Sequence, residues 1–247
     1  MVIYNDWRPQ EFNDVLGQDN IIPILKSQAI TKHYHHSYLL FGPSGSGKTS
    51  TARVLAMTLN CDNMNGTGEP CGVCDNCRTI QAGHHWDTIE IDAATHRGIE
   101  DIKDLCYKAN YSPIGKHKVY IIDECQTLTT EAFNALLRLL EEPPPYLVVI
   151  MCTTDYMTTY RDQATGEIRP TGQFSKIPDT ITARCQLYPF QKLSDNIIKC
   201  KLSRICNSMG LTPDEHAFNN ICGSSFGNMR RAENTLEQLC CQLTGAK

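Results

Sequence analysis

The run Gly42-Pro43-Ser44-Gly45-Ser46-Gly47-Lys48-Thr49 constrains this chain more than any other feature of its sequence. An apolar stretch, Tyr38-Leu39-Leu40-Phe41, precedes it and reads as a short buried strand; a helix reads from about Lys48 to Asn60 behind it. A glycine-rich turn in that setting aims successive backbone N–H groups at phosphate oxygens, and the helix N-terminus adds a dipole that favours anions. The spacing is that of a phosphate-binding loop, in which Lys48 reaches the β- and γ-phosphates and the Thr49 hydroxyl holds Mg²⁺. Gly42 to Thr49, with Ser50 next in line, are therefore expected to bind ATP.

The pattern around the loop alternates. Helices are expected over 19–31, 98–110 and 129–142, the last stopped by Pro143-Pro144-Pro145. Strands are expected at Thr88–Ile91, Val119–Ile122 and Leu147–Met151, the last an unbroken apolar run of the kind buried on both faces of a parallel sheet. Strand–helix alternation implies a parallel sheet between layers of helices. Residues 155–178 break the regularity, with a hairpin turn read at 163–168. Beyond Pro189 the chain turns helical, at about 193–208, 213–222 and 228–243, with a capping box at Thr212-Pro213-Asp214-Glu215. The expected division is an α/β nucleotide-binding domain over 1–188 and a helical domain over 189–247.

Two further groups carry chemistry. Asp123 and Glu124 end a strand, where Asp123 can serve Mg²⁺ and Glu124 can orient and deprotonate a water. Cys61, Cys71, Cys74 and Cys77 form C-x9-C-x2-C-x2-C, and four thiolates close a structural Zn²⁺ site with no open position. His84 and His85 are spare candidates read as surface or strand-entry residues. The other nine of the thirteen cysteines are scattered through regular segments and read as buried free thiols of a reducing compartment. A net charge of −4 argues against coating nucleic acid by bulk charge, though a local basic strip stays possible. No run approaches the roughly 18 apolar residues of a membrane span, and no signal peptide is evident.

In order along the chain stand Trp7-Arg8-Pro9-Gln10, Val15-Leu16-Gly17-Gln18, the phosphate loop, Pro70-Cys71-Gly72-Val73-Cys74-Asp75-Asn76-Cys77, Ile89-Glu90-Ile91-Asp92-Ala93-Ala94 and Phe133-Asn134-Ala135-Leu136-Leu137. So ordered, they resemble the gamma/tau subunits of bacterial DNA polymerase III, the ATPase motors of sliding-clamp loaders. The resemblance implies an AAA+ P-loop NTPase: an α/β domain with a zinc module inserted at about 61–80, and a small all-helical lid. It implies a sensor at Thr154, an arginine finger at Arg184 acting on ATP in a neighbouring subunit, and a second sensor at Arg230 reaching ATP from the lid. Arg8 and Pro9 would lie near the adenine. The implied partners are other clamp-loader subunits, the sliding clamp and primer–template DNA, with no membrane. The implied place is the bacterial cytoplasm, or a host cytoplasm for a viral form.

Three departures stand out. Ala183 replaces the serine of the family's Ser-Arg-Cys motif; an insert occupies about 156–175; and the chain ends after the lid, where family members continue into a helical collar. The turn Thr95-His96-Arg97-Gly98 is the candidate DNA contact, and the insert is a candidate contact to DNA or a neighbouring subunit. Two other classes compete with the clamp-loader motor: a structural subunit that does not hydrolyse ATP, and an AAA+ branch-migration or helicase motor. Intact Lys48, Thr49, Asp123, Glu124 and Arg230 oppose the first, and the zinc module with the Ala-Arg-Cys motif opposes the second. No paired-carboxylate pattern of a polymerase is visible, so a polymerase label would come only through the holoenzyme.

Overall fold

A computed structural model describes residues 3–64, 66–96, 98–155, 157–161, 168–211 and 215–244. The described strands are β1 (Ser37–Phe41), β2 (Thr88–Asp92), β3 (Lys118–Asp123), β4 (Leu147–Thr153), β5 (Met157–Arg161), β6 (Ile168–Phe174) and β7 (Gln186–Pro189). The helices are α1 (Ile3–Asp6), α2 (Ile22–Thr31), α3 (Lys48–Asn60), α4 (Asp75–Gln81), α5 (Ile99–Ala109), α6 (Thr130–Glu141), α7 (Asp179–Thr182), α8 (Asp195–Ser208), α9 (Glu215–Ser225) and α10 (Met229–Thr244).

Five strands form one parallel sheet in the order β2-β3-β4-β1-β7. Every residue of β1 and β4 is buried, as expected for apolar runs covered on both faces. Successive strand side chains point to opposite faces, so Tyr38 and Leu40 join one core with α2 and α3, while Leu39 and Phe41 join another with α5 and α6. The expected layered α/β architecture is thus present. Because the strands run parallel, the phosphate loop after β1 and the carboxylates at the end of β3 emerge at the same edge, outside the carboxyl ends of the strands.

A third core gathers α8, α9 and α10 through Ile198, Leu202, Ile221 and Leu236. Ile3 of α1 belongs to this core and Trp7 packs against it, so the first turn of the chain sits with the helices rather than with the sheet. The insert contributes an antiparallel pair, β5 with β6. Of its expected turn, residues 163–167 lie outside the described residues, as do 212–214 of the capping box and Arg97 of the 95–98 turn.

Element for element, the helix expected from 19 begins at Ile22 with Pro23 in its first turn, where a missing N–H costs nothing. The edge strand β7 was not expected. Its Gln-Leu-Tyr-Pro sequence has neither an apolar run nor a glycine signal, and its closing proline is tolerated because the strand lies at the sheet's edge.

Candidate functional site

Between β1 and α3 the loop takes backbone conformations that side chains resist, with φ of +146° at Gly42, +72° at Gly45 and +102° at Gly47. Lys48, the first residue of α3, is buried and its Nζ donates to the carbonyls of Gly42 at 2.9 Å and Pro43 at 2.8 Å. Burial lowers the proton affinity of its amine, against the pull of Glu124 and Asp123. The loop is also tied from outside: buried Gln18 donates to the Ser46 carbonyl at 3.2 Å, and the Met229 N–H donates to the Gly45 carbonyl at 3.2 Å.

Thr49 and Asp123 meet, the hydroxyl donating to Oδ2 at 2.8 Å. Burial pushes the Asp123 carboxyl above its ordinary 3.8, and the Thr49 bond opposes it. Glu124 adopts a left-handed backbone, φ +50°, uncommon for a residue with a side chain and of the kind that concentrates at functional sites. Its Oε2 accepts from the Thr154 hydroxyl at 3.2 Å and from Gln126 Nε2 at 2.5 Å. The same Gln126 amide donates to Thr154 Oγ1 at 2.9 Å and accepts from the Thr153 hydroxyl at 2.6 Å. Thr154 therefore stands against Glu124, where the resemblance put a sensor, and Gln126 is a member of this cluster that sequence reasoning missed.

These groups floor a cleft. Arg8, Pro9, Asp14, Val15 and Leu16 of the N-terminal segment line it, together with Leu193, Lys201, Met229, Arg230 and Glu233 of the helical segment and Ser44 to Ser50 with Asp123 and Glu124. Arg230 also lies over the Tyr4 ring, 5.8 Å from its centroid, which joins α1 to α10 beside the cleft. Glu233 is nearly inaccessible and pairs with Lys201 at 2.8 Å; burial raises its carboxyl, and Lys201 opposes the rise.

Arg184 is not in this cleft. Its guanidinium pairs with Glu141 and donates to the Thr180 carbonyl at 2.6 Å. Its own carbonyl accepts from Ser37, the first residue of β1, whereas the phosphate loop follows the strand's last residue. Five strand residues span roughly 16 Å, too far for an arginine to reach its own loop.

The four cysteines converge. The Sγ atoms of Cys61, Cys71, Cys74 and Cys77 all lie within 4.8 Å of one another, which accommodates Zn–S bonds of about 2.3 Å around a tetrahedral ion. Backbone N–H groups reinforce the cluster, from Cys71 to Cys61 Sγ at 3.2 Å and from Cys74 to Cys71 Sγ at 3.3 Å. Burial pushes the Cys71 thiol up, but backbone and thiol hydrogen bonds outweigh it and bring the group to about 6, as suits a thiolate ligand. His85 stands apart from the cluster, bonded to Asn76 at 3.2 Å and to the Asp87 N–H at 3.1 Å, and His84 is exposed. Of the scattered cysteines, Cys125, Cys152, Cys206 and Cys222 are buried free thiols, Cys240 is buried, and Cys200 is exposed.

Comparison with known proteins places these features in a lineage. A family described as "DNA polymerase III, delta subunit" matches residues 17–159. The chain is 37% identical over 237 residues to the DNA polymerase III subunit tau of Bacillus subtilis, covering 96% of this chain and 39% of that protein. It is 38% identical to the Escherichia coli tau subunit, covering 96% of this chain and 34% of that protein. The DNA polymerase III subunit gamma of Buchnera aphidicola is 35% identical, with coverage of 96% and 60%. The chain thus spans between about a third and three fifths of the length of these relatives. Among solved structures, the Thermotoga maritima RuvB Holliday junction branch migration motor superposes with a TM-score of 0.67 at 16% identity, covering 97% of this chain and 67% of that one. That likeness establishes a shared fold.

Proposed function

The chain belongs to the family of DNA polymerase III subunits, and from that premise we propose that it is an ATP-hydrolysing motor subunit of a sliding-clamp loader. One observation carries the catalytic part of the reading. The Thr49 hydroxyl meets Asp123 at 2.8 Å while the adjoining Glu124 is held by Thr154 and Gln126, directly beside the phosphate loop. A subunit that only binds nucleotide has no use for the second half of that arrangement.

In this reading, backbone N–H groups of residues 44–47 take the phosphates, and Lys48 exchanges its loop carbonyls for the β- and γ-phosphate oxygens. Thr49 and Asp123 offer the hard oxygen donors that suit Mg²⁺, whose charge offsets that of the phosphates when it is bound. Glu124 orients the attacking water and takes its proton, and Thr154 and Gln126 fix the carboxylate for that task. Arg230 reaches the phosphates from α10, and Arg8 and Pro9 flank the base. Cys61, Cys71, Cys74 and Cys77 hold a structural Zn²⁺. Residues 1–188 act as the nucleotide-binding domain, apart from the first turn, and 189–247 as its lid.

Arg184 serves a neighbouring subunit. Its distance from its own loop and its position at the opposite end of β1 support this role. ATP bound across such interfaces favours a state that holds clamp and primer–template DNA, and hydrolysis releases the clamp. The β5–β6 pair, which leaves the sheet directly after Thr154, contacts DNA or a neighbouring subunit. The decisive experiment compares Glu124→Gln with wild type in a reconstituted complex. The variant is expected to bind ATP normally and turn it over at least ~100-fold more slowly; turnover at the wild-type rate would overturn the assignment.

A further inference from the structure

A line of contacts joins the cysteine cluster to the cleft, and neither the nucleotide reading nor the metal reading uses it. Glu69 stands two residues before Cys71, and its side chain is 3% exposed. Its Oε2 accepts the Phe12 N–H at 2.7 Å, and its Oε1 accepts the Asn13 N–H at 3.2 Å. Lys26 of α2 pairs with Oε1 at 2.6 Å and donates to the Asn13 side chain at 2.6 Å. A buried carboxylate with two backbone donors and a cation makes strong, geometrically demanding bonds.

What Glu69 grips is the wall of the cleft. Phe12 opens a 3-10 turn over Phe12–Asp14, and the turn's last residue, Asp14, lines the cleft with Val15 and Leu16 behind it. Val15 Cγ1 lies 3.6 Å from where a Cβ on Gly47 would stand, so the wall rests against the phosphate loop itself. On its other side the grip leads to the cysteines. Gly68, at φ +78°, lies so close to α2 that a Cβ there would be 2.7 Å from the Lys26 carbonyl. Cys71 is bonded through its N–H to Cys61 Sγ, and Phe12 shares one buried core with Cys61 and Cys77.

We propose that Glu69 is a positioning residue through which the metal-bound cysteine module braces the 12–16 wall, so that loss of the metal weakens nucleotide binding. The inference rests on the ATP reading of the cleft. Order at the cysteines fixes segment 68–71; segment 68–71 fixes Glu69; and Glu69 fixes the backbone that meets the nucleotide. Removing either the metal or the carboxylate interrupts the same line, so the two perturbations overlap rather than add.

The test is a titration of the full chain with a fluorescent ATP analogue, alongside zinc content, for wild type and Glu69→Gln before and after chelation. Glu69→Gln is expected to keep its zinc and to bind the analogue about five- to tenfold more weakly, a coupling of ordinary size. Chelating wild type should weaken binding by a similar factor, and chelating Glu69→Gln should add less than about twofold. Lys26→Met, which removes the lysine's charge from beside Glu69, should weaken binding in the same direction and decides the matter if Glu69→Gln does not fold. Wild-type affinity in zinc-loaded Glu69→Gln, or an equal chelation factor in both backgrounds, would overturn the proposal. Failure of the zinc-loaded wild type to bind the analogue would instead overturn the ATP reading, and this inference with it.

Discussion

Replacing Gly45 with alanine tests whether the phosphate loop is seated against the helical segment. Gly45 has φ +72°, and a left-handed backbone costs a residue with a Cβ about 1–2 kcal/mol. The new Cβ would also lie 2.0 Å from Asn228 Oδ1 and 2.4 Å from its Cγ, so Asn228 must move. Asn228 caps α10 by accepting the Arg231 N–H at 3.1 Å, and losing such a cap costs about 0.5–2 kcal/mol. The sum is a destabilisation of about 1.5–4 kcal/mol, readable as a drop of roughly 3–16 °C in Tm for a chain of this size. Arg230 sits two residues beyond Asn228 in the cleft wall, so displacement of the cap should also weaken ATP binding by about tenfold or more, the worth of one hydrogen bond to a charged group. Calorimetry and an ATP-analogue titration measure both effects. Asn228→Gly supplies the control, since glycine is a tolerable cap. In the Asn228→Gly background, Gly45→Ala should cost only the backbone term of about 1–2 kcal/mol. Equal cost in both backgrounds would refute the contact.

Other outcomes follow from the same geometry. Gln126→Leu should leave ATP affinity in place and slow hydrolysis by about 10- to 100-fold, because Glu124 loses a fixed partner and small misplacements at a reacting centre are costly; single-turnover kinetics separate the two quantities. Burial lowers the Lys48 amine below its ordinary 10.5, so the unfolded chain holds that proton more tightly. Stability of the free protein should therefore rise with pH across the window between the depressed value and 10.5. ATP affinity should fall across the same window, with proton uptake on binding seen by calorimetry in buffers of different ionisation enthalpy, and Lys48→Met should abolish the uptake. Cys74→Ser should lower both zinc content and Tm, because a structural metal site contributes directly to folding.

How much of this was legible in the sequence depends on how local each signal is. The phosphate loop was legible because phosphate binding demands fixed residues at fixed spacing, and β3 and β4 were legible as apolar runs. The cysteine cluster was legible for the same reason as the loop, its ligands lying within 17 residues of one another. Gln126 was not, since its role arises only where the turn after β3 meets the end of β4, which brings it to Thr153 and Thr154. Glu69 carries no sequence signal of its own, because its partners Phe12 and Asn13 lie 57 and 56 residues away and only the fold brings them to it. Lys201 and Glu233 carry no motif, and only the packing of α8 on α10 brings them together at the cleft. Ile3 and Trp7 offered no periodicity by which to assign them to the helical core.

The role proposed for this chain is that of a clamp-loader motor that completes its neighbour's site through Arg184. It is tested most directly by ATP turnover of the reconstituted complex, with and without primed DNA and clamp, for wild type, Glu124→Gln and Arg184→Ala. Stimulation by DNA and clamp is expected in wild type and loss of turnover in both variants, with ATP binding retained in each. Turnover indifferent to DNA and clamp, or an Arg184→Ala complex as active as wild type, would contradict it.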